Sequence, residues 1–235
     1  MKKIIAFTIA LCFSISLLAQ EKKASDSLET RDLKGFTGIS ASLAANIYLR
    51  QSDTFSFKAV GRSRLLERLE TTVKDSILRI RLHKDNDFFN DMERVSIYIS
   101  APSFEEFDFS GFGKIVSENT LKGTKLRVFQ SGAHGVDLDL DYEELSVQMS
   151  GIGSIELRGK TQKADLEMSG TGNIDAYDLT VQNAECGVSG LGSISCFVEN
   201  DLYAKVSGLG SVKYKGEPKH FKKSLSGLGK VTSKW

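Results

Sequence analysis

Proline is nearly missing from this sequence, with two residues set against 21 glycines. That balance excludes a stiff, extended Pro-rich linker and points to many tight turns. Cysteine is scarce at three residues, and the three histidines, His83, His134 and His220, lie far apart. No CxxC, HExxH or Cys/His cluster can be assembled from them, which argues against a catalytic transition-metal centre. Neither sign of charge dominates, since 31 Lys+Arg face 30 Asp+Glu. A near-neutral chain has no general pull toward nucleic acid or anionic lipid. At 40% hydrophobic and 26% charged residues, the composition is that of an ordinary globular protein.

Long apolar runs are also lacking, with one exception at the start. "MKKIIAFTIALCFSISLLAQ" has Lys2 and Lys3 as a charged start, an apolar stretch from Ile4 to Leu18, and a cleavage point at Ala19–Gln20. This is the pattern of a secretory signal peptide, and the run is short for a membrane span. Leu11 is a poor residue to precede a lipidated cysteine, which argues against an anchor at Cys12. Removal of residues 1–19 takes away Lys2 and Lys3 and brings the formal charge from +1 to −1. Cys186 and Cys196 are then the cysteines that remain, and export makes a disulfide between them chemically permissible without showing one.

Residues 20–34 are polar, without an apolar period, and read as a solvated linker. From 35 to 106 the chain reads as a strand-rich N-terminal β region: "NIYLRQ", "FSFKAV", "ILRIRL" and "VSIYIS" alternate apolar and polar residues. "SRLLERLETTV" differs, because Leu65, Leu66 and Leu69 stand at helical spacing and predict a short helix. Asp85–Asp91 reads as a loop.

Residues 107–235 repeat. A serine recurs at Ser110, Ser131, Ser150, Ser169, Ser189, Ser207 and Ser226, with spacings of 21, 19, 19, 20, 18 and 19 residues. A period of that length marks a solenoid, and the leucine-rich-repeat pattern is missing. Each serine is followed by glycine, at Gly111, Gly132, Gly151, Gly170, Gly190, Gly208 and Gly227. The second glycine of S-G-x-G is replaced in one copy only, by His134. One residue before the serine, three before it and five after it, most residues are apolar, with polar ones between. This predicts two short strands per repeat with one face buried. The glycines would allow a corner through positive φ or the missing Cβ, and the serine hydroxyl would bond nearby backbone.

As a site, the motif fails several chemical requirements. A phosphate loop needs G-x-x-x-x-G-K-[ST] or a G-x-G-x-x-G opening a helix, whereas here a strand follows. A nucleophilic serine needs a base, and no histidine recurs beside the seven serines. The outward positions carry the binding candidates instead. Asp137, Glu156 and Asp175 share one offset, followed by Ser195 and Lys213. In register they would form a carboxylate column that is either a solvated acidic face or a place for Ca²⁺. Tyr177 and Phe197 share another offset and would be outward neighbours able to stack on a sugar or a partner. Cys186 and Cys196 fall on inward offsets and read as small buried hydrophobes. Seven lysines from Lys213 onward against Glu217 would protect a terminal coil from edge pairing or meet an acidic partner.

The opening "FTGISASLAANIYLRQSDTFSFKAVG", "LETTVKDSILRIRL" and the recurring "SGIGSIEL", "SGTGNIDA" and "SGLGSISC" resemble the auto-transporter adhesin head, or GIN domain, family of exported bacterial proteins. The likeness spans about Phe36 to Val231, with "SLAANI" at Ser42–Ile47 as a degenerate repeat. It implies a right-handed parallel β-helix, with the N-terminal region of the same architecture. It also implies a non-enzymatic, exported protein of the periplasm, cell surface or medium that binds a surface glycan or protein. It transfers no catalytic residue, and no membrane barrel follows Lys213, unlike an intact autotransporter. A homo-oligomer is compatible with these features. A periplasmic scaffold or stress protein without a ligand, and a carbohydrate-active β-helix enzyme using the acidic column, are the alternatives.

Overall fold

The computed structural model describes residues 26–83 and 94–234. The leader at 1–19 with Cys12, residues 20–25 of the polar stretch and the loop at Asp85–Asp91 lie outside the described residues. The chain runs through β1 (Ser27–Arg31), β2 (Gly38–Ser42), β3 (Ala44–Gln51), β4 (Ser56–Gly61), α1 (Ser63–Glu67), β5 (Leu69–Lys74), β6 (Ile77–Leu82), β7 (Val95–Ala101), β8 (Glu106–Phe109) and β9 (Phe112–Ser117). It continues as β10 (Leu121–Gln130), β11 (Ala133–Met149), β12 (Ile152–Met168), β13 (Thr171–Val188), β14 (Leu191–Gly208), β15 (Ser211–Lys215), β16 (His220–Gly227) and β17 (Lys230–Ser233). These strands form a β-solenoid of about 7 turns with a spacing of ~19 residues.

Parallel pairing holds each coil on the next, from β8 and β9 through β10–β14 to β15–β17. Equivalent inward residues therefore stack as ladders. Ile115, Val136, Ile155, Ile174, Ile194 and Val212 are register partners in turn, and all are buried. A second buried ladder runs Phe107, Val128, Val147, Leu166, Cys186 and Ala204, so its side chains shrink toward the C-terminal coils. Burial of such ladders supplies most of the driving force, at roughly 1.5–3 kcal/mol per large side chain. The expected two short strands per repeat are, in β11–β14, single strands of 17 or 18 residues. They bend while keeping parallel partners over most of their length, with register irregularities in β12–β14, and end at or just past the Ser-Gly corner.

The N-terminal region joins the same stack out of chain order. β2 pairs in parallel with both β6 and β8, and β3 with both β7 and β9, which places the 38–51 coil between two others. The degenerate "SLAANI" stretch sits at the corner position: Ala44 and Ala45 pair with Phe112 and Gly113, and the Phe112 N–H donates to the Leu43 carbonyl. Antiparallel pairs β1–β4, β4–β7 and β5–β6 lie alongside. The short helix predicted at Leu65 and Leu66 is α1, and both leucines are buried, while Leu69 begins β5.

Residues 20–34, which the sequence presents as a solvated linker, contain β1, an edge strand on β4. Backbone pairing and Arg31 hold it, rather than apolar burial: the guanidinium donates to the Leu69 carbonyl at 2.6 Å and to Thr71 Oγ1 at 2.8 Å, over the Phe57 ring. A strand built on polar contacts leaves no hydrophobic alternation to read.

His134, the residue in place of a corner glycine, is buried near Phe109. Desolvation by burial lowers its pKa from 6.5 to about 4. The unfolded chain therefore binds the proton more readily than the folded one, so this contribution to stability is complete above pH 6.5 and is lost as pH falls toward 4. Denaturant midpoints measured from pH 7 to pH 4 are expected to fall more steeply for the wild type than for His134→Gly, which restores the repeat. Parallel curves would refute this.

Candidate functional site

The corners are the most regular surface of the molecule, and backbone contacts build them. The N–H groups of Ser131, Ser150, Ser169 and Ser189 donate to the carbonyls of Phe109, Gln130, Met149 and Met168 on the preceding coil, at 2.8–2.9 Å. Two residues later, the N–H groups of Ala133, Ile152, Thr171 and Leu191 donate to Gly111, Gly132, Gly151 and Gly170 at 2.9–3.1 Å. The coils approach so closely that a Cβ on Gly151 would lie 1.9 Å from the Gly132 carbonyl oxygen, and one on Gly170 would lie 2.0 Å from that of Gly151. Gly111, Gly132 and Gly190 meet the same obstacle. At these first glycines the close approach, rather than a left-handed φ, demands the missing side chain. Gly208 and Gly227 instead adopt φ of 107° and 101°.

The serine hydroxyls do not have the expected role. Ser110, Ser131, Ser150, Ser169, Ser189 and Ser226 are exposed and Ser207 is half-buried. Their side chains make no hydrogen bond to any described residue. The backbone bonds already hold the corner, so the hydroxyls are left toward solvent. Ser131, Ser150, Ser169, Ser189 and Ser207 line a groove of about 470 Å³ that runs across five coils. Its outer wall carries Phe129, Gln148, Glu167 and Lys205, and Met149 and Met168 are among its lining residues.

Beside this groove stands an apolar ridge made by the x of S-G-x-G. Phe112, Ala133, Ile152, Thr171 and Leu191 are register partners in turn. Leu209 and Leu228 continue the series in the following copies of the motif. Ile152 is 65% exposed, Leu191 58%, Leu209 62% and Leu228 79%, with Phe112 also exposed. Large apolar side chains aligned on one edge make a patch of the kind that marks contact sites, unlike isolated surface leucines. The ridge is not among the sequence-based candidates, because the serine and glycines are the recurring residues of the motif and the x varies from copy to copy. The signal is the large apolar x of five copies, at a place where the neighbouring offsets predict no burial.

The structure treats the other candidates differently. Asp137, Glu156 and Asp175 do stack in register, followed by Ser195 and Lys213. One carboxylate of the column has a cationic partner, Asp137, which pairs with Arg158 at 2.5 Å; outside the column, Lys160 pairs with Asp141 at 3.5 Å. The Asp175 carboxylate accepts the Tyr177 N–H at 3.1 Å. Among the described residues no three His, Cys, Asp or Glu side chains gather as ligands for a metal ion such as Ca²⁺.

Tyr177 and Phe197 are not register neighbours. The register slips by three residues between Ala176 and Thr180, so Phe197 pairs with Thr180 and Tyr177 lies in the irregularity. A second irregularity between Val181 and Asn183 returns one residue, so the two together leave a net offset of two, the difference between the 20- and 18-residue spacings on either side of Ser189. Both rings are half-buried, and Lys215 and Lys234 lie over Tyr177 at 4.4 and 5.5 Å from its centroid. An aromatic face already covered by two cations is a poor platform for a ligand.

Comparison with known proteins agrees with this architecture. The family model described as "Putative auto-transporter adhesin, head GIN domain" matches residues 35–218. A crystal structure of a "putative adhesin" from Bacteroides fragilis NCTC 9343 is 30% identical, with a TM-score of 0.83, covering 89% of this chain and 97% of that one. Two structures from Parabacteroides distasonis ATCC 8503 share the fold. One, called a "putative adhesin", has 19% identity, a TM-score of 0.70 and coverage of 90% and 98%. The other, called a "putative lipid binding protein", has 20% identity, a TM-score of 0.68 and coverage of 91% and 98%. No match was found among curated proteins. No helix among the described residues is long and apolar enough to cross a membrane. On the match over residues 35–218 and the likeness to the Bacteroides fragilis protein, the chain belongs to the auto-transporter adhesin head, GIN domain, family.

Proposed function

We propose that the protein is an exported, non-enzymatic binding protein that holds a cell-surface or extracellular component, glycan or protein, against its corner edge. The observation that carries this reading is the exposed ridge of Phe112, Ile152, Leu191 and Leu209 beside a groove of unpartnered serine hydroxyls. The ridge offers apolar area to be desolvated and the groove offers donors and acceptors, the combination that recognition surfaces use. The rigid coil spacing fixes both at once, so little ordering has to occur on binding. No column serine has a histidine hydrogen-bonded to it among the described residues, which supports binding over nucleophilic chemistry.

The test is a panel of immobilised bacterial and host glycans and extracellular-matrix proteins. Wild type is expected to retain at least one of them. The triple variant Ile152→Ser/Leu191→Ser/Leu209→Ser is expected to bind roughly tenfold or more weakly, as for loss of about 1.4 kcal/mol. Its melting should be unchanged, because these side chains are exposed. Tyr177→Ala and Phe197→Ala, in contrast, should bind as wild type. Equal binding by the triple variant, or loss confined to the Tyr177 and Phe197 variants, would overturn the assignment.

A further inference from the structure

Cys186 and Cys196 lie at the two inward positions that face each other across a coil, three residues before and seven residues after the corner serine. Other coils fill those positions with apolar pairs such as Val147 with Leu157 and Leu166 with Ala176. Only the coil around Ser189 places cysteine at both. The two side chains are fully buried, and their sulfur atoms are 3.8 Å apart, in van der Waals contact as free thiols. We propose that Cys186 and Cys196 become joined by a disulfide as the chain folds in an oxidising compartment, tying together the two arms of the coil that carries Ser189 and Leu191.

The timing follows from burial. In the finished solenoid neither sulfur is open to an oxidant. Hydrogen bonding to Cys196 and burial also hold the Cys186 thiol well above its ordinary range, so in the folded coil Cys186 offers little of the reactive thiolate. Exchange therefore belongs to the open chain. There the thiolate of one cysteine attacks a disulfide-containing oxidant and expels one of its sulfurs. The thiolate of the second cysteine then attacks the first cysteine's sulfur in the mixed disulfide and expels the oxidant's other sulfur. Two electrons pass to the oxidant, which leaves as two thiols carrying the protons that the cysteines gave up. Once the coil closes, the same burial protects the bond from reduction.

The full chain carrying Cys12→Ser, which leaves these two thiols alone, is unfolded and refolded with either glutathione disulfide or dithiothreitol. The oxidatively refolded protein is expected to show no titratable thiol in guanidinium and to yield one cross-linked peptide pair joining Cys186 to Cys196. The dithiothreitol-refolded protein should keep two thiols that react only after unfolding, and should melt several degrees lower. Two free thiols in guanidinium after oxidative refolding, glutathione adducts in place of the cross-link, or a cross-linked form that melts no higher would each overturn the proposal.

Discussion

Gly151→Ala is expected to destabilise the protein by about 3 kcal/mol, whereas Gly135→Ala leaves it unchanged or up to about 1 kcal/mol more stable. The two glycines hold different positions in the coil, one directly after and one four residues after the corner serine, and their surroundings differ. A Cβ on Gly151 would lie 1.9 Å from the Gly132 carbonyl oxygen and 2.7 Å from that of Ser131. Both obstacles are backbone, which cannot swing aside as a side chain does. Relief requires the coils to separate, which stretches the Ile152 N–H bond to Gly132, 3.0 Å in the native corner. Gly135 has nothing within 4 Å of its Cβ position and no left-handed φ, so alanine there only restricts the unfolded chain. Urea unfolding of the two variants decides the matter. Equal midpoints would show that the glycine ladder is ornamental rather than a packing requirement.

The second large effect is expected at Phe107, where truncation to alanine should cost about 3–5 kcal/mol. Phe107 is fully buried, with ring centroids of Phe104 and Phe109 at 5.4 and 5.7 Å. It pairs with Ile39 on one side and Val128 on the other, and so joins the 38–51 coil to the repeats. A cavity there removes contacts from both neighbours, and the surrounding parallel ladders resist collapse into it. Leu225→Ala is the control, because Leu225 occupies an inward offset of the last coil yet is 47% exposed, and a loss within about 1 kcal/mol is expected. Calorimetry that finds Phe107→Ala no worse than Leu225→Ala would refute the account of where the core is anchored.

Much of the fold could be read from the residue order because a solenoid repeats one local solution. The spacing of Ser110 to Ser226, the glycines after each serine and the inward columns all follow from a single coil's geometry. Stacking then places Ile115, Val136 and Ile155 on one another without further information. Even the degenerate corner at Ser42–Ile47 was visible, since its offsets survive the replacement of glycine by Leu43 and Ala45. The strand β1 was not visible, because Arg31 and backbone pairing hold it and leave no apolar period.

The site was less accessible to such reading, for a reason seen in Tyr177. An offset table assumes that every coil contributes one residue per position, but the three-residue slip between Ala176 and Thr180 separates Tyr177 from Phe197. The Asp137 column shows a second limit, since its register was predictable but its pairing with Arg158 of the next coil was not. What the sequence by itself determined was the period, the corners and which side chains turn inward, because these depend on neighbours along the chain. Only the tertiary structure decided that the serine hydroxyls are left free, that the x residues stand out as a ridge, and that two thiols meet across a coil. Those outcomes depend on how closely and in what register separate coils approach, and that distance is set by contacts between residues about nineteen positions apart or on opposite arms of a coil.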